Sequence, residues 1–200
     1  MKKRIRVNGD NFVVMISERR IKAKVKQLAG KISKDYKGTI PVFIGILNGS
    51  FIFFADLIRE VTIDCEVDFL KLSSYGDAKI SSGNVKLLKD LNCQVEGRDI
   101  IIVEDIVDSG LSMEYIKNLI MHQNPKSFRI VTLLYKKDSV KIPLQIDYIG
   151  FTIPGDFVLG YGLDYAQRWR NLKAVYRLKE ARVPVVETEI VEAKRGALVV

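Results

Sequence analysis

The most informative stretch lies in the middle of the chain and reads Asp99-Ile100-Ile101-Ile102-Val103-Glu104-Asp105-Ile106-Val107-Asp108-Ser109-Gly110. Its first part, Asp99 to Ile106, is a short apolar run rich in Ile and Val. Such a run predicts a strand that is covered on both faces in a parallel sheet. Val107 to Leu111 predicts a turn, and apolar residues then recur at helical spacing from Ser112 to Gln123. The order strand, loop, helix indicates an α/β unit.

Three carboxylates interrupt this apolar stretch. Glu104 and Asp105 fall where the buried strand is about to emerge, and ionised carboxylates are costly there unless water, a cation or hydrogen-bond donors receive them. Asp108 to Ser112 supply an acid, two hydroxyls and a glycine just before a helix, which suits a phosphate cradle of backbone N–H groups. The alternative is that Asp108 or Ser112 only caps the helix while the other acids are solvated.

The same alternation of strands and helices continues on both sides of this stretch. It predicts a doubly wound α/β domain with a mainly parallel central sheet flanked by helices. Ligands of such folds bind beyond the carboxyl ends of the strands, which here follow Leu47, Ile106 and Tyr135. The other predicted elements are a helix that starts at Ser17 and stops at Gly38, a strand at Pro41 to Leu47, a helix at Phe51 to Val61, and strands at Val67 to Tyr75, Phe128 to Tyr135 and Ile146 to Ile153.

Composition narrows the class of protein. The chain has 200 residues, 48% of them hydrophobic, and a formal net charge of +8, which fits one domain with a sizeable core. No run approaches the roughly 18 apolar residues of a membrane span, and the basic start has no signal-like apolar stretch. We therefore expect a cytoplasmic protein without a membrane partner. Basic residues are dispersed, and the densest set, Lys22 to Lys37, is most simply a solvated helix face.

The run from Glu104 to Gly110 consists of two acids, two apolar residues, an acid, a hydroxyl residue and glycine. It resembles the phosphoribosyl pyrophosphate signature of type I phosphoribosyltransferases. The resemblance extends from about Phe12 to about Lys179 and points to the hypoxanthine-guanine phosphoribosyltransferases. Its other motifs resemble the pyrophosphate loop and helix (Leu47 to Leu57), the serine-tyrosine pair of the lid (Ser74 and Tyr75), the strand end with the purine-binding lysine (Leu134 to Lys137) and the segment that closes over the base (Phe157 to Tyr165).

This resemblance implies the type I phosphoribosyltransferase fold with a small hood or lid region. It implies one domain over residues 1–179, with a lid at about 73–90, and leaves residues 180–200 as an extension without an assigned role. One position departs from the family pattern, because many members carry Lys or Arg where this chain has Asn48. The peptide bond before that position is often cis in the family.

The resemblance also implies a role for each site residue. Asp108 would be the catalytic acid–base group beside purine N7, and Lys136 would donate to the 6-oxo group. Ser74 and Tyr75 would act in the lid, and Mg²⁺ would be the cofactor, held by Glu104, Asp105 and Asp164. Phosphoribosyl pyrophosphate would be bound by Glu104, Asp105, Asp108, Ser109, Gly110, Leu111, Ser112, Asn48, Gly49 and Arg170. The purine would be bound by Ile106, Lys136, Phe157, Val158 and Asp164.

The implied function is purine salvage: transfer of 5-phosphoribosyl from phosphoribosyl pyrophosphate to hypoxanthine or guanine, giving IMP or GMP and pyrophosphate. A homodimer or homotetramer is the expected assembly. Two alternatives stay open at this point. One is an enzyme that prefers xanthine and guanine, and the other is a regulator on the same fold that binds nucleic acid through Lys22 to Lys37.

Overall fold

The computed structural model describes residues 4–74 and 85–179, which form a mixed α/β structure with two sheets. Its helices are α1 (Glu18–Asp35), α2 (Phe51–Glu60) and α3 (Leu111–Met121), with a short 3₁₀ turn at Lys137–Ser139. Its strands are β1 (Arg4–Val7), β2 (Asp10–Ile16), β3 (Val42–Leu47), β4 (Glu66–Ser74), β5 (Val85–Lys89), β6 (Asp99–Val107), β7 (Ser127–Tyr135), β8 (Tyr148–Thr152), β9 (Val158–Leu159) and β10 (Val175–Leu178).

The larger sheet has the strand order β5-β4-β3-β6-β7-β8. Strands β4, β3, β6, β7 and β8 run parallel, and β5 pairs antiparallel with β4. The predicted strands are thereby confirmed, with bounds that differ by one or two residues. Because β3, β6 and β7 are parallel neighbours, the loops after Leu47, Val107 and Tyr135 follow one another along the same edge.

Helices cover both faces of this sheet, as predicted. The N–H of Arg20 donates to the Ser17 hydroxyl at 3.4 Å, so Ser17 is the N-cap of α1. The apolar stripe of α1 is buried with α2 against one face, and α3 packs into the separate core on the other face. No helix within residues 4–74 and 85–179 is long and apolar enough to cross a bilayer.

A second sheet, the hood sheet, has the order β1-β2-β10-β9. Strand β2 pairs antiparallel with β10, so that Phe12 lies opposite Leu178. Local periodicity cannot reveal a pairing between residues so far apart in the sequence. Phe12 and Tyr176 are buried between these strands and the segment before β10. The resemblance anticipated a hood, but the sequence interpretation did not identify its strands. Tyr75, most of the predicted lid and residues 180–200 lie outside the described residues.

Candidate active site

Two buried carboxylates stand near the end of the central strand β6. Glu104 is 9% exposed and Asp105 is 7% exposed. The N–H of Asp105 donates to Glu104 Oε1 at 3.1 Å, and the N–H of Ile106 donates to Asp105 Oδ1 at 2.9 Å. Among the residues that the structure describes, neither carboxylate has a basic side chain within 4 Å.

The environment of these acids favours their neutral form. Burial raises the pKa of Glu104 well above its usual range, and the charge of Asp105 raises it further. Burial also raises the pKa of Asp105, against hydrogen bonds and the positive charge of Arg170, which lower it. A cation or sugar hydroxyls at this point would relieve the cost of keeping two carboxylates away from water.

The loop between β3 and α2 passes directly over Asp105. The peptide bond between Leu47 and Asn48 is cis. A Cβ on Gly49 would overlap the Asp105 carboxylate, so only glycine lets the backbone approach this closely. The Ser50 hydroxyl is fully buried and donates to the Ile46 carbonyl at 2.5 Å, which fixes the loop to the strand before it. The Asn48 side chain is exposed.

The turn after β6 forms a small concave surface at the start of α3. Gly110 has φ +85° in the left-handed region, and no side chain caps the helix at this residue. The first-turn N–H groups of α3 therefore carry the partial positive charge of a helix N-terminus, which suits a phosphate group. The concavity is lined by Glu104, Ile106, Val107, Asp108, Gly110, Ser112 and Met113.

A lysine and an acid meet across the ends of β6 and β7. Lys136 Nζ lies 2.8 Å from Asp108 Oδ2, and the N–H of Lys136 donates to the Val107 carbonyl at 3.0 Å. The lysine side chain is 10% exposed, whereas that of Asp108 is 53% exposed. The two residues that the sequence assigned to the purine are thus direct neighbours, although the sequence did not predict that they pair.

The segment that was predicted to close over the base is joined to the hood sheet. The N–H of Leu178 donates to the Phe157 carbonyl at 3.0 Å, and Val158 lies opposite Arg177 in the β9–β10 pair. The Phe157 ring is 45% exposed and meets Phe12 edge to face at 6.2 Å between centroids. Phe12 is a supporting residue that the sequence interpretation missed, because nothing in the local pattern relates it to Phe157.

Asp164, near the end of this segment, forms an ion pair with Arg170. Arg170 Nη2 lies 2.7 Å from Asp164 Oδ1, and Arg170 Nη1 donates to the Gly162 carbonyl at 2.9 Å. The other Asp164 oxygen accepts the N–H of Gln167 at 2.8 Å. Because Gly162 packs against Gly49 and Gly49 packs against Asp105, the bond to Gly162 holds the Arg170 side chain near the loop over the buried acids.

The side chains predicted to hold Mg²⁺ are Glu104, Asp105 and Asp164. The structure describes no cluster of three or more metal-ligating side chains within residues 4–74 and 85–179. Mg²⁺ in phosphate-processing sites commonly keeps several waters and uses only one or two carboxylates plus substrate phosphates. Glu104 and Asp105 fit that pattern, because they are adjacent and lack a basic partner. Asp164 fits it less directly, since both of its oxygens are already engaged.

The predicted lid would begin at the end of strand β4. Ser74 is the last residue of β4, at the carboxyl end of the parallel strands. Tyr75 and the predicted loop that follows it lie outside the described residues.

The fold and this site define a class of protein, the phosphoribosyltransferases, which are pentosyl transferases. A family model described as "Phosphoribosyl transferase domain" matches residues 15–166. The hypoxanthine-guanine phosphoribosyltransferase of Bacillus subtilis is 48% identical over 168 residues, which cover 84% of this chain and 93% of that protein. The hypoxanthine phosphoribosyltransferase of Escherichia coli is 46% identical over 161 residues, which cover 80% of this chain and 90% of that protein.

A solved structure of a protein with a similar name has a similar fold. A crystal structure of a hypoxanthine-guanine phosphoribosyltransferase from Bacillus anthracis, with a HEPES molecule in its active site, superimposes with a TM-score of 0.79 at 43% identity. The match covers 82% of this chain and 96% of that one. The chain belongs to the hypoxanthine-guanine phosphoribosyltransferase family.

Proposed function

We propose that this enzyme transfers 5-phosphoribosyl from phosphoribosyl pyrophosphate to hypoxanthine or guanine and releases pyrophosphate with IMP or GMP. One observation carries the proposal. A buried lysine is held 2.8 Å from a half-exposed aspartate, next to two buried carboxylates at the same sheet edge. A 6-oxopurine with a proton on N7 offers an acceptor and a donor side by side, which complements this pair.

The sugar phosphate would bind along the end of β6. Glu104 and Asp105 would receive the ribose hydroxyls, directly or through Mg²⁺, and so gain the partners that their burial calls for. The 5′-phosphate would lie in the concavity at the start of α3, with Ser109, Leu111 and Ser112 around it. Backbone N–H groups and hydroxyls suffice for such a phosphate without a lysine or arginine.

The base would bind beside the ribose. Lys136 would donate to the 6-oxo group, while Asp108 would exchange the N7 proton as N9 attacks C1′ of the ribose. Phe157 and Ile106 would contact the two faces of the ring, and the Val158 backbone would read its Watson–Crick edge. The support for this arrangement is the exposed face of Phe157 and the distance between Asp108 and Lys136.

The reaction breaks the C1′–oxygen bond through a sugar with oxocarbenium character, so the departing pyrophosphate needs charge neutralisation and the cation needs shelter from water. The Gly49 loop would offer backbone N–H groups to the pyrophosphate, and Arg170 would contact it. Bound Mg²⁺ would neutralise part of its charge, with Asp164 as a further ligand. Ser74 and Tyr75 would cover the site.

Three further assignments belong to the proposal. Mg²⁺ is the cofactor, the enzyme acts in the cytoplasm, and it assembles as a homodimer or homotetramer. Glu104 and Asp105 are buried and have no ion pair with a basic side chain within residues 4–74 and 85–179, which supports a divalent cation.

The test is incubation with phosphoribosyl pyrophosphate, Mg²⁺ and one purine at a time, with nucleotide product measured by chromatography. Hypoxanthine and guanine should be converted and adenine should be inert, because its 6-amino group presents a donor to the donor Lys136. Faster conversion of xanthine than of hypoxanthine would favour the xanthine-guanine alternative. The nucleic-acid regulator is not favoured, since the relatives reported above carry the names of enzymes.

A further inference from the structure

A tyrosine–carboxylate hydrogen bond joins two segments of the active site that are far apart in sequence. The Tyr161 hydroxyl donates to Asp56 Oδ2 at 2.7 Å. Tyr161 is 5% exposed. Burial raises its pKa and Asp56 raises it further, so the hydroxyl keeps its proton and acts as the donor. Neither residue is among those assigned above to substrate or metal.

Tyr161 lies between two glycines, and the second of them contacts the loop over Asp105. Gly160, Tyr161 and Gly162 all have positive φ angles, of +93°, +53° and +101°. A Cβ on Gly162 would overlap the Gly49 carbonyl oxygen, so this segment rests directly on the loop over Asp105. Arg170 also donates to the Gly162 carbonyl. A shift of Tyr161 would therefore shift Gly162, its contact with Gly49 and the anchor of Arg170.

Asp56 lies on a helix that is packed firmly against the central sheet. It lies on α2, which begins immediately after the Gly49 loop and buries Phe53, Phe54 and Leu57 against the central sheet. The carboxylate is thus attached to the rigid body that carries the loop. Its bond to Tyr161 fixes the distance between that body and the segment from Gly160 to Asp164.

We propose that Asp56 is a positioning residue for the transfer reaction, which holds Tyr161 so that Gly162 and Arg170 keep their places beside the Gly49 loop. The inference rests on the proposed function, since it assigns this pair to the pyrophosphate end of that site. In the proposed function Asp56 is given no contact with either substrate. Its effect is expected to be larger on phosphoribosyl pyrophosphate than on the base. Strand β10 holds Phe157 and Val158 in place independently of Tyr161, and other strand ends carry Lys136 and Asp108.

The chain contains a matched control for this bond. The Tyr148 hydroxyl donates to Asp35 Oδ2 at 2.9 Å, and Tyr148 is 2% exposed. This pair joins the end of α1 to the start of β8, at the opposite edge of the parallel strands from the site. Tyr148→Phe and Tyr161→Phe each remove one buried hydroxyl of the same kind, so their effects on folding should be alike.

The experiment compares steady-state kinetics of Tyr161→Phe, Tyr148→Phe and the unsubstituted full chain, with both substrates varied. Both variants should melt at a somewhat lower temperature. Only Tyr161→Phe should raise the KM for phosphoribosyl pyrophosphate, by about 3- to 10-fold, the equivalent of one ordinary hydrogen bond. The KM for hypoxanthine should stay within about twofold, because an anchor at the pyrophosphate end does not touch the base.

Substitutions of Asp56 test the same hydrogen bond from its other side, so that the conclusion does not depend on Tyr161→Phe alone. Asp56→Asn retains an oxygen that can accept from Tyr161 and should restore most of the affinity that Asp56→Ala loses. The double variant Asp56→Ala/Tyr161→Phe should be no worse than Asp56→Ala in the KM for phosphoribosyl pyrophosphate.

The outcomes separate the two claims. If the unsubstituted enzyme forms no nucleotide, the proposed function is wrong, and this role is overturned with it. If that enzyme is active but Tyr161→Phe and Tyr148→Phe show the same KM for phosphoribosyl pyrophosphate, the positioning role alone is overturned.

Discussion

Asp108 and Lys136 share an ion pair but are not equivalent, because the acid is half exposed and the lysine is almost fully buried. Replacing Asp108 with Asn would remove the proton acceptor while keeping the size of the side chain. We expect kcat to fall roughly 10²- to 10⁴-fold, the usual contribution of general acid–base catalysis. The KM for phosphoribosyl pyrophosphate should change less than kcat, because Ser109, Leu111 and Ser112 would still surround the 5′-phosphate. The measurement is initial rates with saturating hypoxanthine, and a near-normal kcat would contradict the acid–base assignment.

Lys136 should control which base is accepted. Lys136→Gln replaces a cationic donor with an amide that can donate or accept. The variant should therefore bind hypoxanthine more weakly and discriminate less strongly against adenine. We expect kcat/KM for hypoxanthine to fall by about 10- to 100-fold, consistent with the loss of a charged hydrogen bond. The ratio of hypoxanthine to adenine rates is the measurement. Lys137→Gln is the control, because the neighbouring lysine side chain is not in the ion pair.

The helices and strands that leave a local sequence pattern were predicted, and those formed only by pairing of distant segments were not. The limits of strand β6 and the start of helix α1 were predicted to within about a residue, whereas α1 ends at Asp35, before the predicted stop at Gly38. A doubly covered strand and an amphipathic helix each leave a local pattern of apolar residues. Strands β1, β2 and β10 were not predicted, because they are paired by contacts such as Ile16 with Val175. Pairing over that sequence distance leaves no periodic signal.

In the candidate site, too, the local features were predicted and the contacts between distant residues were not. The acids of β6 and the glycine turn were predicted from a contiguous motif, so their grouping required no knowledge of tertiary contacts. The contact of Gly162 with Gly49, and the bond of Tyr161 to Asp56, join residues from distant parts of the chain. The glycine-rich run Gly160-Tyr161-Gly162 was a usable signal, since closely spaced glycines often mark a close backbone approach.

The loop after β3 should be the element most sensitive to a single added methyl group. Gly49→Ala would drive a Cβ into the Asp105 carboxylate, so the loop or the acid has to move. We expect kcat/KM for phosphoribosyl pyrophosphate to fall by at least about 10²-fold, since sub-ångström placement governs such sites. The assay is initial rates at several concentrations of that substrate.

Gly30→Ala is the matched control for this change. Gly30 is exposed within α1, and its added Cβ would meet nothing within 4 Å. The substitution should leave the kinetics unchanged and raise the free energy of unfolding by about 0.5–1 kcal/mol, because alanine restricts the unfolded chain and favours helix. Equal activity of Gly49→Ala and Gly30→Ala would refute the close approach of the loop to Asp105.

For the molecule as a whole, the two sheets carry different parts of the proposed chemistry. The central sheet presents the acids, the glycine turn and Lys136 at its edge, while the hood sheet holds Phe157 through the β9–β10 pair. The segment from Gly160 to Asp164 follows β9 and returns to the Gly49 loop. The site is therefore assembled from both sheets, and the Tyr161–Asp56 bond is one of the links between them.

Stability against acid should depend on a carboxylate outside the site. Asp68 on β4 is 7% exposed and accepts the N–H groups of Phe69, Asn92 and Cys93, at 2.7, 2.6 and 2.9 Å, and Lys89 Nζ at 3.1 Å. Burial alone would raise its pKa, but these donors outweigh it and lower the pKa to about 2. The bond to Lys89 and the backbone bonds fasten β5 and the segment after it to the central sheet.

The sign of the pH dependence follows from this lowered pKa. As the pH falls, the unfolded chain takes up the proton on Asp68 before the folded protein does. The stabilisation is therefore complete above about pH 5, declines below the ordinary value of 3.8 and is lost near the folded value of about 2. A difference of almost two pKa units corresponds to roughly 2 kcal/mol at pH 7.

Asp68→Asn tests this linkage by urea unfolding between pH 7 and pH 3. The variant should be less stable by about 2 kcal/mol or more at pH 7, because its amide also places a donor against backbone donors. The difference from the unsubstituted protein should shrink as the pH falls below about 4. Asp90→Asn removes the same charge from an exposed neighbour and should change stability by less than about 0.5 kcal/mol at every pH. A constant difference across the pH range would mean that Asp68 acts through packing alone, because a titrating contact has to lose its contribution once the carboxylate is protonated.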